Sequence, residues 1–254
     1  MTHDWISPDW SAPAQIKALL TTRNGGVSLG HYAGRDGGGL NLGDNTGDHP
    51  DAVQQNKAIL RHALPSEPVW LRQVHGTAVL RLPVATSVEP PVADAVFTIT
   101  PGVVCAVRTA DCLPVLLADR LGRAVGVAHA GWRGLAAGVV EHTVAAMRSA
   151  LPQADLIAYL GPAIGPLHFE VGAEVRAAFM ALDPQAEICF QRTGPAKWRA
   201  DLPMLARQRL QKIDISCTSG GNLCTYSEAG RFYSFRRDAD TGRMASCIWI
   251  EPLS

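Results

Sequence analysis

Three residues combine reactive chemistry with a suggestive setting. His75, Cys112 and His129 each stand at a strand end or break, next to Gly or close to Pro. Two imidazoles and a thiolate suit zinc, and three protein ligands leave a fourth position open for water or substrate, the pattern of a catalytic site. Without metal, Cys112 and His129 instead make a nucleophile–base pair. A buried cysteine and two hydrogen-bonded histidines would give the same letters, so local geometry has to decide. It is carried by the stretch Val103–Gly134, VVCAVRTADCLPVLLADRLGRAVGVAHAGWRG. Val103–Thr109 and Leu113–Asp119 read as strands, Arg120–Arg123 as a turn and Ala124–Ala130 as the returning strand. Antiparallel pairing about that turn sets Cys112 and Leu113 opposite Ala130 and Gly131. The thiol and the imidazole then fall at one end of one hairpin.

His129 also leads into Gly131-Trp132-Arg133-Gly134, a predicted helix start whose N–H groups favour an anion. Arg133, and Arg23 at the end of a predicted strand, are candidate anion binders because guanidinium matches phosphate oxygens in pairs. An ion-paired surface arginine is the alternative for each. Asp111 either orients a ligand or substrate hydroxyl, or caps the turn. Cys105 and Cys224 read as structural, His168 as a weaker candidate, and Trp132 as a substrate lid or a packing residue.

The elements that position these groups follow from period and breakers. Ile16–Thr22 is a strand, Arg23–Ser28 a turn, Gly34–Gly39 a glycine-rich loop. Asp48 caps a helix running to about His62. Val69–Leu82 is two strands or one bulged strand broken at Gly76, and Pro83–Pro91 a connector before a strand from Ala93 to Thr98. Leu135, Val139, Val140, Val144, Met147 and Leu151 recur at helical spacing. Ile157–Leu160 is a strand, 172–182 a helix, and another helix starts at Asp201. Phe232–Arg236 and Met244–Ile250 read as strands about a turn at Asp240-Thr241-Gly242. Strands and helices intermingle without a regular βαβ rhythm, so the fold expected is α+β, with a mixed β-sheet or sandwich core flanked by helices in one domain, 1–254.

The 254 residues carry 23 Lys plus Arg against 23 Asp plus Glu. A net charge of zero provides no basic field for nucleic acid or an anionic membrane. The N-terminus has no secretory pattern, and charges interrupt every apolar run short of a membrane span. Six cysteines without a C-x-x-C pair read as reduced thiols in a cytoplasmic protein. No two histidines form an H-x-H pair, which argues against a multicopper oxidase.

Taken together these residues resemble the YfiH-type family of purine nucleoside phosphorylases, long labelled multicopper polyphenol oxidases or laccase-domain proteins. The likeness runs through Thr22-Arg23 with Gly25–Ser28, Asn41-Leu42-Gly43, Gln73–Gly76, Thr109–Pro114, Ala128–Gly134, Gly161–Gly165 and Cys224-Thr225-Tyr226. Arg35–Gly39 is an insertion against that pattern, and Asn222 stands where an Asp is expected. The resemblance implies a fold related to cysteine hydrolases and zinc held by His75, Cys112 and His129, with copper as an alternative occupant. It implies phosphorolysis of adenosine, inosine and methylthioadenosine, with adenosine deamination as a second reaction. Cys112, His129, Arg23 and Asp111 are then the catalytic residues, and Arg23, Asn41 and Arg133 those that bind substrate and phosphate. Known zinc deaminases place a Glu beside a ligand, and none stands beside these three. A Cys112/His129 amidohydrolase that edits a peptidoglycan precursor is the alternative in a different reaction class.

Overall fold

The computed structural model describes residues 3–84 and 89–252. In chain order the strands are β1 (Ile16–Leu20), β2 (Asn24–Ser28), β3 (Val79–Leu82), β4 (Ala95–Thr98), β5 (Cys105–Thr109), β6 (Leu113–Asp119), β7 (Val125–Ala130), β8 (Leu156–Leu160), β9 (Glu170–Gly172), β10 (Phe190–Gly194), β11 (Lys197–Ala200), β12 (Thr218–Gly220) and β13 (Met244–Ile250). The helices are α1 (Pro50–Arg61), α2 (Trp132–Ala137), α3 (Val139–Ala150), α4 (Ala173–Met180), α5 (Leu202–Gln211) and the single turn α6 (Phe235–Asp238).

A mixed six-stranded sheet, β12-β8-β6-β7-β4-β3, packs face to face on a three-stranded antiparallel sheet, β1-β13-β5. Side-chain alternation sorts the apolar residues into layers. Along β6, Leu113, Val115 and Leu117 face a core shared with α3 and α5, whereas Leu116 and Ala118 face the other sheet. The strand is therefore buried on both sides, and so it reads as an unbroken apolar run. On the far side of the small sheet, Ala106, Ala245, Cys247 and Trp249 pack with Leu60 of α1. The result is a four-layer helix–sheet–sheet–helix sandwich, with the small β9-β10-β11 sheet appended.

The β6–β7 hairpin has the expected register: Leu113 pairs with Ala130 and Pro114 with His129. Its turn is tied by Asp119, fully buried, which accepts from Arg123 Nε at 2.7 Å, Arg123 Nη2 at 3.1 Å and Asp155 N at 3.1 Å.

Several expectations need correction. The helical run from Leu135 is two helices, because Gly138 adopts φ +96° and ends α2. Asp48 does not cap α1. His49 stands at that position, while Asp48 Oδ2 accepts from Ser28 Oγ at 2.6 Å and Asn41 Nδ2 at 2.9 Å. The Arg23–Ser28 turn contains β2, which bridges to Gly39. Only Val79–Leu82 of the Val69–Leu82 stretch is strand, with one bridge from Arg72 to Val92. Phe232–Arg236 is not a strand: Phe232 and Tyr233 are buried as a separate cluster, and Ser234 caps α6. The connector before β4 lies partly outside the described residues. Among the described residues, no helix is long and apolar enough to cross a membrane.

The turn that sets the register yields a stability prediction. Burial opposes the Asp119 charge, but Arg123 and the Asp155 N–H outweigh it and hold the carboxyl below its usual range. A depressed carboxylate stabilises the fold above the unfolded pKa, and that stability is lost as pH falls through the folded one. Asp119→Asn should cost about 2 kcal/mol at pH 7, and urea denaturation at a series of pH values should show the gap closing below about pH 4.

Candidate active site and metal centre

β5 ends and β6 begins at the same end of the sandwich, and Thr109, Ala110, Asp111 and Cys112 form the corner between them. Asp111 takes φ +85° there, and its oxygens accept from Thr225 Oγ1 at 2.5 Å and Arg236 N at 2.6 Å. Cys112 thus lies opposite Gly131, one residue beyond the last hairpin pair. His75 arrives on a separate segment in a left-handed conformation, φ +60°. Gln73 fixes that segment to β5, donating to Arg108 O and accepting from Arg108 N, each at 2.8 Å.

The ligand atoms of His75, Cys112 and His129 lie within 4.8 Å of one another. Cys112 Sγ is 3.6 Å from His75 Nε2, and the two imidazoles meet edge to face with centroids 4.7 Å apart. Asp94, fully buried, joins them. It accepts from His129 Nδ1 at 2.8 Å and from the backbone N–H groups of Val74, His75 and Gly76 at 3.2, 2.9 and 2.8 Å. With Nδ1 held as donor, Nε2 of His129 is the nitrogen that gives up its proton to bind a metal. Gly131 supplies the space: a Cβ there would lie 2.8 Å from Cys112 Sγ and 2.9 Å from His75 Cδ2.

Burial opposes a Cys112 thiolate, yet the charge and hydrogen bonding of His129, and after it His75, bring the thiol down to about 6. Burial likewise opposes a charged His129, but Cys112 and Asp94 raise it to about 9. Two nitrogens, a readily ionised sulfur and a carboxylate behind one imidazole fit a divalent, borderline-soft ion with one position left open.

The trio opens into a cavity of about 520 Å³, a size suited to a small organic substrate. Arg72, Arg108, Arg133, Arg236 and Arg243 line it, with Asp44 and Asp111 as its carboxylates. Asp44 is neutralised by Lys57 and Arg108, so the wall is cationic. Ile164, Phe169 and Phe235 add an apolar surface.

Of the remaining candidates, Arg133 lines the cavity, exposed and stacked on Trp132. Trp132 itself packs against the core rather than forming a lid. The helix behind it, six residues, is too short for the expected anion-binding dipole. Arg23 does not reach the cavity. Its guanidinium donates to the carbonyls of His31, Ala33 and Ala229 and stacks on Tyr233, so it fastens loops together. Asn41 is fully buried and acts from behind the wall, donating to Thr46 Oγ1 and Asp48 and accepting from Gly43 N and Arg243 N. His168 stacks on Tyr226, and Cys224 Sγ accepts from Gly165 N and Ser227 N.

Asp94, Gln73, Arg236 and Arg243 were not singled out from sequence. The available signal for Asp94 was an acid placed at the entry of an apolar strand. For Arg243 it was an arginine following the turn glycine, immediately before β13.

Fold and site together define a β-sandwich protein with a carboxylate-backed His/Cys/His centre in an arginine-lined cavity. The chain belongs to the family described as multi-copper polyphenol oxidoreductase laccase, whose model matches residues 17–251. Similar curated proteins carry another name. "Purine nucleoside phosphorylase YfiH" of Shigella flexneri and that of Escherichia coli are each 51% identical, over 96% of this chain and 98% of the relative. Among solved structures, Neisseria meningitidis protein NMB0706 superposes with TM-score 0.90 at 46% identity, covering 98% of this chain and all of that one. Geobacillus stearothermophilus YlmD gives 0.85 at 30% identity, covering 94% and 93%.

Two measurements check the geometry. Asp94→Asn should weaken metal binding about 10–100-fold, read by competition with a chelating dye while circular dichroism is unchanged. In metal-free protein, alkylation of Cys112 by iodoacetamide should show a midpoint near pH 6, far below the roughly 8.5 of a free cysteine.

Proposed function

We propose that the protein is a zinc-dependent purine nucleoside phosphorylase that accepts adenosine, inosine and methylthioadenosine. The observation that carries this is the near full-length identity to relatives of that name, joined to an arginine-lined cavity beside the His75, Cys112 and His129 donors. When bound, zinc supplies Lewis acidity and lowers the pKa of a water towards about 7.

The chain's own residues perform the rest. Asp94 keeps Nε2 of His129 and the whole His75 turn aimed at one point. The apolar surface of Phe169, Phe235 and Ile164 suits the purine, and the arginines suit phosphate. A phosphate oxygen forms a bond to the ribose anomeric carbon while the bond from that carbon to the purine nitrogen breaks. The electron pair leaves with the base, which takes up the proton that hydrogen phosphate gives up as its oxygen bonds to the ribose. Arg133 at the exposed rim steers phosphate inward, and Asn41 acts indirectly by fixing the wall.

Adenosine deamination at the same centre completes this reading. No glutamate lines the cavity among the described residues. Asp111, positioned by Thr225 and Arg236 N–H, is the carboxylate at hand for proton transfer in that second reaction. The oxidase label fits less well, because a multicopper mechanism needs several copper sites and one His/Cys cluster of three is formed among the described residues. Copper is still an alternative occupant of that cluster.

One feature favours a second reading. Asp94, His129 and Cys112 follow one another as acid, imidazole and a thiol lowered to about 6, the arrangement of a cysteine hydrolase acting on an amide such as one in a peptidoglycan precursor.

Product analysis separates the readings. With inosine and phosphate the metal-loaded enzyme should release hypoxanthine and ribose 1-phosphate, and adenosine should in addition release ammonia. Chelation should abolish turnover and zinc should restore it. Ribose 1-phosphate formed at full rate after complete metal removal would refute the zinc mechanism. Cys112→Ala should lose the bound metal, measured by elemental analysis.

A further inference from the structure

The five arginines of the cavity differ in what remains free on each. Arg108 is committed: Nη1 binds Asp44 at 2.5 Å and Leu42 O at 3.0 Å, and Nη2 binds Leu71 O at 3.1 Å. Arg236 gives Nη1 to Glu170 O at 2.8 Å. Arg72 and Arg133 are exposed, Arg133 stacked on Trp132.

Arg243 is held in place yet unpaired. Its N–H donates to Asn41 Oδ1 at 2.9 Å, and its carbonyl accepts from Leu42 N at 3.0 Å. Its stem packs on Gly43, where a Cβ would come within 2.7 Å of Arg243 Cγ. Nη1 donates to the carbonyls of Thr241 and Gly242 at 2.9 and 3.0 Å. Among the described residues no carboxylate forms a salt bridge with this guanidinium, and neither Nε nor Nη2 has a hydrogen-bond partner. A guanidinium has five N–H donors, so three are left at the cavity wall on the edge that grips two oxygens of a phosphate at once. A partly buried cation without a counter-charge is costly, and an anion in the cavity removes that cost. The neighbouring loop, Asp44-Asn45-Thr46, lines the same cavity. The backbone N–H groups of Asp44 and Asn45 have no acceptor among the described residues.

We infer that Arg243, on the wall formed with the Asp44–Thr46 loop, is the inner phosphate subsite of this centre, its Nε–Nη2 edge holding two oxygens of inorganic phosphate. This rests on the phosphorolytic reading above. It moves the phosphate role away from Arg23 and gives Asn41 a purpose, since Asn41 Oδ1 fixes the Arg243 backbone and its amide fixes the loop. Arg243 lines the same cavity as Cys112 and His129, so an anion held there stands beside the reacting centre.

The test is steady-state kinetics of the metal-loaded enzyme at saturating inosine with phosphate varied. Arg243→Gln should raise the phosphate KM at least tenfold while the inosine KM stays within twofold, and Arg243→Lys, which keeps charge and fold, should fall between. A phosphate KM within twofold of wild type in both variants overturns the assignment, as does an inosine KM that rises in step. If the wild-type enzyme forms no ribose 1-phosphate, it is the phosphorolytic reading that fails. Calorimetric titration with inorganic phosphate then decides the subsite by itself. Binding at least tenfold weaker in Arg243→Gln supports it, whereas equal binding, or none to the wild type, overturns it.

Discussion

A single buried carboxylate holds the centre together. Asp94 accepts from one imidazole and from three consecutive backbone N–H groups, and those groups belong to the turn that carries His75. Burial disfavours its charge, but His129 and the backbone donors more than compensate, so the carboxyl lies below its usual range. The same interaction sustains the left-handed backbone of His75, a conformation costing about 1–3 kcal/mol elsewhere. Two ligands that approach on unrelated segments are therefore positioned by one acceptor.

The surrounding architecture explains why this centre lies where it does. Two sheets packed face to face close their interior with Leu, Ile and Val, but at the sandwich end the strands run out and polar side chains enter. β5 ends, β6 and β13 start and β7 ends in that region, contributing Arg108, Cys112, Arg243 and His129 or their neighbours. The rigid strands keep these positions precise while the corner segments supply the chemistry. Cationic charge accumulates there although the whole chain is neutral, so total charge says little about what an individual cavity prefers.

The hairpin was legible in the sequence because the Arg120–Arg123 turn between two apolar runs sets the register by its own position. That placed Cys112 beside His129 without any knowledge of the sheet. The segment with His75 was legible only as a break, since its position depends on Asp94 and Gln73, contacts that no local pattern encodes. Arg23 was misplaced for a related reason. A guanidinium at a strand end looks the same whether it meets an anion or three carbonyls, and only the packing of the Gly30–Tyr32 and Ala229 segments decides it. Phe232 and Tyr233 form a short aromatic run that a strand could also carry, but tertiary burial of both rings rather than sheet pairing occupies them. The Gly138 break within one helical pattern was hidden because both helices bury their apolar residues in the same core.

Gly131 carries a consequence for reading relatives of this chain. Its φ of −62° is open to any amino acid, so the backbone does not demand glycine there. What demands it is the space beside the sulfur and the His75 ring. Its identity therefore reports on chemistry and not on folding. A family member bearing a side chain at this position would keep the sandwich, the hairpin and all three donor residues in its sequence, yet lack room for them to converge. A census of His and Cys alone would count such a protein as active, whereas this one glycine marks it as a degenerate copy.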